Sequence, residues 1–378
     1  MAAQRVYLHV GAPKSGTTYL QARLAANARS LARRGVQVPT PRRTLPRSRA
    51  HFQAALDLLD QDWGGPPGHA VGAWPRLLDA VDPRAAAVVV SHEILAPAPA
   101  TVVRRALADL AGARGTRGTG TREVHVVLTA REPSGALASA WQESLKQGRR
   151  WSFARFLDLA ESRRGWWYHA LDLPAVLGTW SADLPPERVH LVTVPPVSGG
   201  QDELWRRFCE ALACDPSAGP RRPEASNPSL GVVEAAVLRR LNETSGRERA
   251  DDLRAQRIDT LLGPGGLEER RSPRLGLPPG RRRWAAGEAD RWHAWLTEHP
   301  VTVHGSLADL LPAPAPPADT VPDPADPADP ADPDAVPDAV LLERAAEVQR
   351  SLDLAGSGHV DSLRRRTRLV RDLLRGDG

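Results

Sequence analysis

The chain has 378 residues, 41% hydrophobic and 25% charged, which is ordinary for a soluble globular protein. It contains no run of about 18 apolar residues, which excludes a membrane-spanning helix. A net charge of +5 and a pI near 9.8 suit an anionic ligand; the arginines are spread along the chain without a recognition module, so nucleic acid is not the expected partner.

The opening MAAQRVYLHV enters a strand-like segment at once, with no apolar leader region or cleavage site, so a cytoplasmic protein is expected. Candidate strands follow at 6–10, 36–38, 86–91, 124–130 and 189–194, short, β-branched and almost continuously apolar. Helical patterning fills the intervals at 17–34, 51–61, 101–111, 135–147, 153–162 and about 173–183. This alternation predicts an α/β fold, a central parallel sheet flanked by helices, with ligands at the carboxyl ends of the strands. Beyond Pro195 the pattern turns mainly helical, at 202–213, 230–242 and 284–296, and the glycine- and arginine-rich stretch at 263–283 reads as a loop. Cys209 and Cys214 have no neighbouring His or Cys cluster, so they read as reduced structural thiols and no metal is expected. A Pro/Ala/Asp repeat over 312–338 reads as a linker, and 339–378 as an amphipathic helix that packs on the body or on another subunit. The expected domains are therefore 1–311 (core motifs 5–215, helical part 216–311), the linker, and the C-terminal helix.

The chemistry gathers in the first half. Gly11 and Gly16 have Walker A spacing, yet the lysine, Lys14, precedes the second glycine and Thr17 follows it. Of 50 basic residues only Lys14 and Lys146 are lysines, so the arginine bias of the chain does not explain Lys14. Gly11, Pro13 and Gly16 allow a tight turn into a helix whose first amides and dipole favour an anion, and Ser15, Thr17 and Thr18 add hydroxyls. Arg131 ends a later strand and Ser139 comes eight residues on, a spacing that can clamp a second phosphate. Glu143 and Lys146 read equally well as a helix-face ion pair. His92 and Glu93 end the strand at 86–91; neighbouring strand residues point to opposite faces, so one of the two is expected in the site as a base, with Glu93 favoured. His9, among apolar neighbours, reads as structural.

PKSGTT at 13–18 together with Arg131 and Ser139 resembles the sulfotransferases that use 3′-phosphoadenosine-5′-phosphosulfate (PAPS). Over 5–215 the chain is most similar to sulfotransferase-like proteins of actinobacteria, which share segments in the style of SAWQESLK and RVHLVTVPP. The resemblance implies a P-loop-like fold, Pro13–Thr18 on the 5′-phosphosulfate, and Arg131 with Ser139 on the 3′-phosphate. It also implies Lys14 at the leaving oxygen, a metal-free reaction, and a small-molecule or glycan acceptor carrying a hydroxyl or amine. The late glycine- and lysine-containing motif of the cytosolic animal enzymes has no copy here, which makes GRRRW at 280–284 the candidate for closing over the nucleotide. The competing expectations are a P-loop kinase or NTPase, disfavoured by the lysine position and the lack of a Walker B acid, and a non-catalytic scaffold in which the C-terminal helix mediates self-association.

Overall fold

The structure, a computed structural model, describes residues 3–41, 49–112, 122–196, 200–223, 229–244, 261–263, 266, 267, 269, 271–312 and 332–355. Among them six strands form one sheet: β1 Arg5–Gly11, β2 Val36–Gln37, β3 Ala87–Ser91, β4 Glu123–Ala130, β5 Val189–Thr193 and β6 Thr302–His304. Their order is β2-β3-β1-β4-β5-β6, and every pairing is parallel. The expected α/β architecture with a central parallel sheet is what the chain adopts.

The apolar runs form central strands because both faces are covered. Tyr7, Val89, Val127 and Val192 pack in one cluster with Leu20, Leu24, Leu31, Leu204, Trp205 and Phe208 from helices Thr17–Ala26, Ala28–Arg33 and Gly200–Ala211. Leu8, Val90, Val126 and Leu128 point the other way and are equally buried. β1 lies where the strand order reverses, with β3 on one side and β4 on the other, so the segments following these three strands meet at one edge.

Several boundaries differ from expectation. The helix expected over 17–34 is divided at Asn27, whose side-chain amide donates to Arg23 O and Arg221 O, both at 2.8 Å, while its carbonyl accepts from Arg221 N at 2.9 Å. Helix Pro279–Glu298 absorbs the residues expected as the end of a loop, including the GRRRW segment. Arg281 in its first turn pairs with Asp158 and Glu161. Cys209 and Cys214 are free thiols, and Cys214 N closes the end of helix Gly200–Ala211 on Cys209 O at 2.9 Å, beside left-handed Ala213.

The chain divides into two compact units. The first, Met1–Ala136, Arg164–Ser226 and Ala286–Pro312, holds the whole sheet; the second is Leu137–Arg163, Asn227–Ala285 and Ala313–Gly378. Within the second unit, Gln142 exchanges two hydrogen bonds with the backbone of Leu230, and helix Asp338–Ala355 packs on helix Val232–Thr244, burying Leu341, Ala345 and Val348. That helix is the described part of the C-terminal segment. Residues 313–331 of the expected linker and 356–378 lie outside the described residues.

The first unit holds a row of neutral histidines, two of them buried. His125, His190 and His304, on β4, β5 and β6, form a row in which His125 Nδ1 is 2.9 Å from His190 Nε2, and His190 Nδ1 is 3.1 Å from His304 Nε2. With His125 Nε2–H donating to Glu123 Oε1 at 3.0 Å, one tautomer satisfies the whole row without charge. Burial, reinforced by the neighbouring imidazoles, holds His190 down at about 4; burial also lowers His51 to about 4 and His9 to about 3. Each folded value lies below the ordinary 6.5, so the unfolded chain takes up protons that the folded chain refuses. Stability is complete above about pH 6.5 and falls as pH drops from there toward 4. Urea unfolding is therefore expected at lower denaturant at pH 5 than at pH 7, with net uptake of about three or more protons at pH 5. A midpoint unchanged over that range contradicts the buried neutral assignment.

Candidate active site

The loop between β1 and helix Thr17–Ala26 is built around left-handed residues. Gly11 has φ 116° and Gly16 φ 82°, and between them Lys14 adopts φ 62°, uncommon for a residue with a side chain. Gly16 begins the helix without a side-chain cap, and no acidic residue occupies the first turn. The helix's own first turn therefore places no carboxylate at its positive end. The second glycine has a packing reason as well: a Cβ at Gly16 would run into Leu204 of helix Gly200–Ala211. Pro13 and Thr17 are buried, Lys14 partly exposed and Thr18 exposed, so the turn presents Lys14 and Thr18 outward.

Ser15 differs from expectation. Its hydroxyl, 1% exposed, donates to Ala12 O and contacts Thr129 Oγ1 at 2.6 Å, so it works beneath the loop rather than toward a ligand.

β3 delivers His92 and Glu93 to the same edge. Glu93 is packed against the loop: a Cβ at Gly11 would lie 3.1 Å from both Cα and Cβ of Glu93, so only glycine permits this approach. The Glu93 carboxylate accepts from Gln21 Nε2 at 2.7 Å, which orients it beside the first helix. His92 stays close by, its Nδ1 3.9 Å from Glu93 Oε2, but its other contacts lie away from the loop. Its Nδ1 accepts from Ile94 N at 3.3 Å and its ring lies 5.1 Å from that of Phe52, which in turn lies 5.1 Å from Trp63. Burial lowers its pKa and Glu93 partly offsets the shift. The strand ends at Ser91 and Glu93 opens the short 3₁₀ turn Glu93–Leu95, so strand alternation does not extend over this pair; Glu93 is the member packed beside the loop.

Arg131 immediately follows β4, the strand on the other side of β1. Burial lowers its pKa, a shift that Glu132, 3.8 Å away, opposes. A partly desolvated guanidinium with its carboxylate beyond hydrogen-bond length favours an added anion. Glu132 is occupied otherwise, accepting from Gly135 N at 2.6 Å at the start of helix Pro133–Lys146. Ser139 lies on that helix, past the boundary between the two units, which falls after Ala136.

The structure thus brings Pro13–Thr18, Glu93 and Arg131 to the carboxyl ends of three adjacent strands, and turns His92 toward Phe52. Sequence reasoning missed Gln21, Ser91 and Thr129 and read His9 only as structural. For His9, Ser91 and Thr129 the available signal was polarity inside otherwise apolar strands, as in VYLHVG and VVLTAR; Gln21, on helix Thr17–Ala26, carried none. Among the described residues no cluster of His, Cys, Asp or Glu could hold a metal, and no helix is long and apolar enough to cross a membrane.

No family model and no curated protein sequence matches the chain. Among solved structures, the chain is similar to the crystal structure of a sulfotransferase from Alicyclobacillus acidocaldarius, at 18% identity over 68% of this chain and 96% of that one, with a TM-score of 0.38.

Proposed function

We propose that this protein is a sulfotransferase that moves a sulfonate group from PAPS to a hydroxyl or amine of a small-molecule or glycan acceptor. The observation that carries the reading is the loop 11–16. It opens onto an uncapped helix end with Lys14 in a left-handed turn, and Glu93 and Arg131 end the two strands that flank it. These residues fit the donor: a helix start with no acidic side chain and a partly desolvated arginine both favour phosphate-like oxygens.

PAPS, when bound, supplies a sulfonate whose leaving group is a phosphate oxygen. On this reading Lys14 stabilises charge on the bridging oxygen, and the first-turn amides with Thr17 and Thr18 hold the neighbouring oxygens, so catalysis is mainly positioning and electrostatics. Ser15 contributes backbone only, and Pro13 shapes the turn. Arg131 pairs with the 3′-phosphate; the resemblance adds Ser139 to that clamp on spacing alone. Glu93, oriented by Gln21, takes the acceptor's proton. The tilted and edge-to-face rings of His92, Phe52 and Trp63, with Trp63 45% exposed, offer an aromatic wall next to Glu93 for a ring-bearing acceptor.

Ligand-induced stabilisation tests this reading. Saturating 3′-phosphoadenosine-5′-phosphate, at about 100 times its Kd, is expected to add about 2.7 kcal/mol and raise the melting temperature by about 3 °C or more. A Lys14→Ala protein should show a much smaller shift. If the bisphosphate gives none while ATP with Mg²⁺ does, the chain is a nucleotide kinase or NTPase and the sulfotransferase reading fails.

A further inference from the structure

β1 leaves the β4 ladder near its end: His9 is in register with Val127, but Gly11 with Leu128, and the regular pairing slips between them. What takes over is Thr129. Its carbonyl accepts from Ala12 N at 2.6 Å, and its hydroxyl lies 3.1 Å from Gly11 O, 2.6 Å from Ser15 Oγ and 3.2 Å from His9 Nε2. On the far side of the ring, His9 Nδ1 lies 2.7 Å from Ser91 Oγ on β3. All four side chains are at most 1% exposed.

One proton arrangement satisfies the whole chain. Ser91 donates to His9 Nδ1, His9 Nε2–H donates to Thr129 Oγ1, Thr129 donates to Ser15 Oγ and Gly11 O together, and Ser15 donates to Ala12 O. The arrangement needs a neutral His9 in the Nε2–H tautomer. A buried polar chain satisfied this way specifies one geometry, because any displacement leaves a desolvated hydroxyl or carbonyl without a partner. Its end points are telling. It grips the loop at residues 11, 12 and 15, on either side of Lys14, and it is anchored on β4 two residues before Arg131.

We propose that Thr129, backed by His9, is a positioning residue that sets the path of loop 11–16, and so the placement of Lys14 and the first-turn amides relative to Arg131. The inference rests on reading the loop as an anion cradle, yet its geometry can be tested without any ligand.

The experiment uses the full chain with Thr129→Val, which keeps the shape and removes the hydroxyl, and Thr129→Ser, which keeps the hydroxyl. Hydrogen exchange of amides 14–18 is followed without ligand, and affinity for 3′-phosphoadenosine-5′-phosphate is measured by calorimetry. The valine protein is expected to exchange these amides at least about tenfold faster, with the central strands unchanged, and to bind the bisphosphate about tenfold more weakly. The serine protein should restore both. Should the valine protein not fold, Ser15→Ala removes the loop side of the same bond and is read identically.

Loop exchange and binding equal to the parent in the valine protein overturn the proposal. A loss of both that serine does not restore also overturns it, since packing rather than the hydroxyl would then be responsible. A parent that binds no bisphosphate, yet whose loop exchange accelerates with valine and recovers with serine, upholds the positioning role and rejects the proposed function instead.

Discussion

A Glu93→Gln protein is expected to lose about 10²–10⁴ in the rate of sulfonate transfer while still binding 3′-phosphoadenosine-5′-phosphate. The amide has the size and shape of the carboxylate and retains an oxygen for the bond from Gln21, so the local structure has no reason to move. On the proposed reading, what disappears is the capacity to accept a proton from the acceptor. His92→Gln is expected to cost less than about tenfold, since its Nδ1 is engaged by Ile94 N and its ring packs on Phe52. The measurement is turnover with labelled donor on any acceptor the parent uses, together with the ligand-induced melting shift as a control for binding. Should His92→Gln abolish turnover and Glu93→Gln spare it, the assignment of the base is reversed.

Arg344→Ala is expected to destabilise the second unit by about 3–5 kcal/mol. Glu234 is fully buried in helix Val232–Thr244, and its carboxylate receives Arg344 Nε at 2.9 Å, Arg271 N at 3.0 Å and Ser272 Oγ at 2.5 Å. Arg344 reaches this carboxylate from helix Asp338–Ala355 and also donates to Glu269 O at 2.6 Å. Removing the guanidinium leaves a buried charge without its countercharge, the costly case for an ion pair. Replacing both partners by apolar residues of similar volume, Glu234→Leu with Arg344→Met, is expected to recover most of the loss. Urea unfolding of the two single variants and the pair measures this directly, and a single variant within about 0.5 kcal/mol of the parent would contradict the buried-pair account. Through Arg344, helix Asp338–Ala355 is tied to Glu234 and to the Glu269 backbone of its unit.

How far the fold could be read depended on where each segment lies. β1, β3, β4 and β5 were legible because strands buried on both faces are apolar over most of their length, and these are, with only a few buried polar residues such as His9, Ser91 and Thr129 among them. β6 was not: three residues at the sheet edge, partly exposed, carry too short a pattern to separate from a loop. Short helices Ala73–Asp79 and Trp166–Leu171 escaped for the same reason. The division at Asn27 depends on bonds to the backbone of Arg221, about 200 residues away, which no local propensity records.

By itself the sequence determined the parallel α/β core and the identity of a loop that carries Lys14 between two glycines, because continuous apolar runs and glycine spacing are local properties. Only the tertiary structure decided what that loop rests on. It turned Ser15 inward, set Glu93 against Gly11 while sending His92 to Phe52, and joined Ser91, His9 and Thr129 from three strands into one hydrogen-bonded chain. It likewise matched Glu234 with Arg344 across 110 positions. Each of these depends on which strand or helix lies beside which, and that is settled when distant segments bury their surfaces together, not by the residues of any one segment.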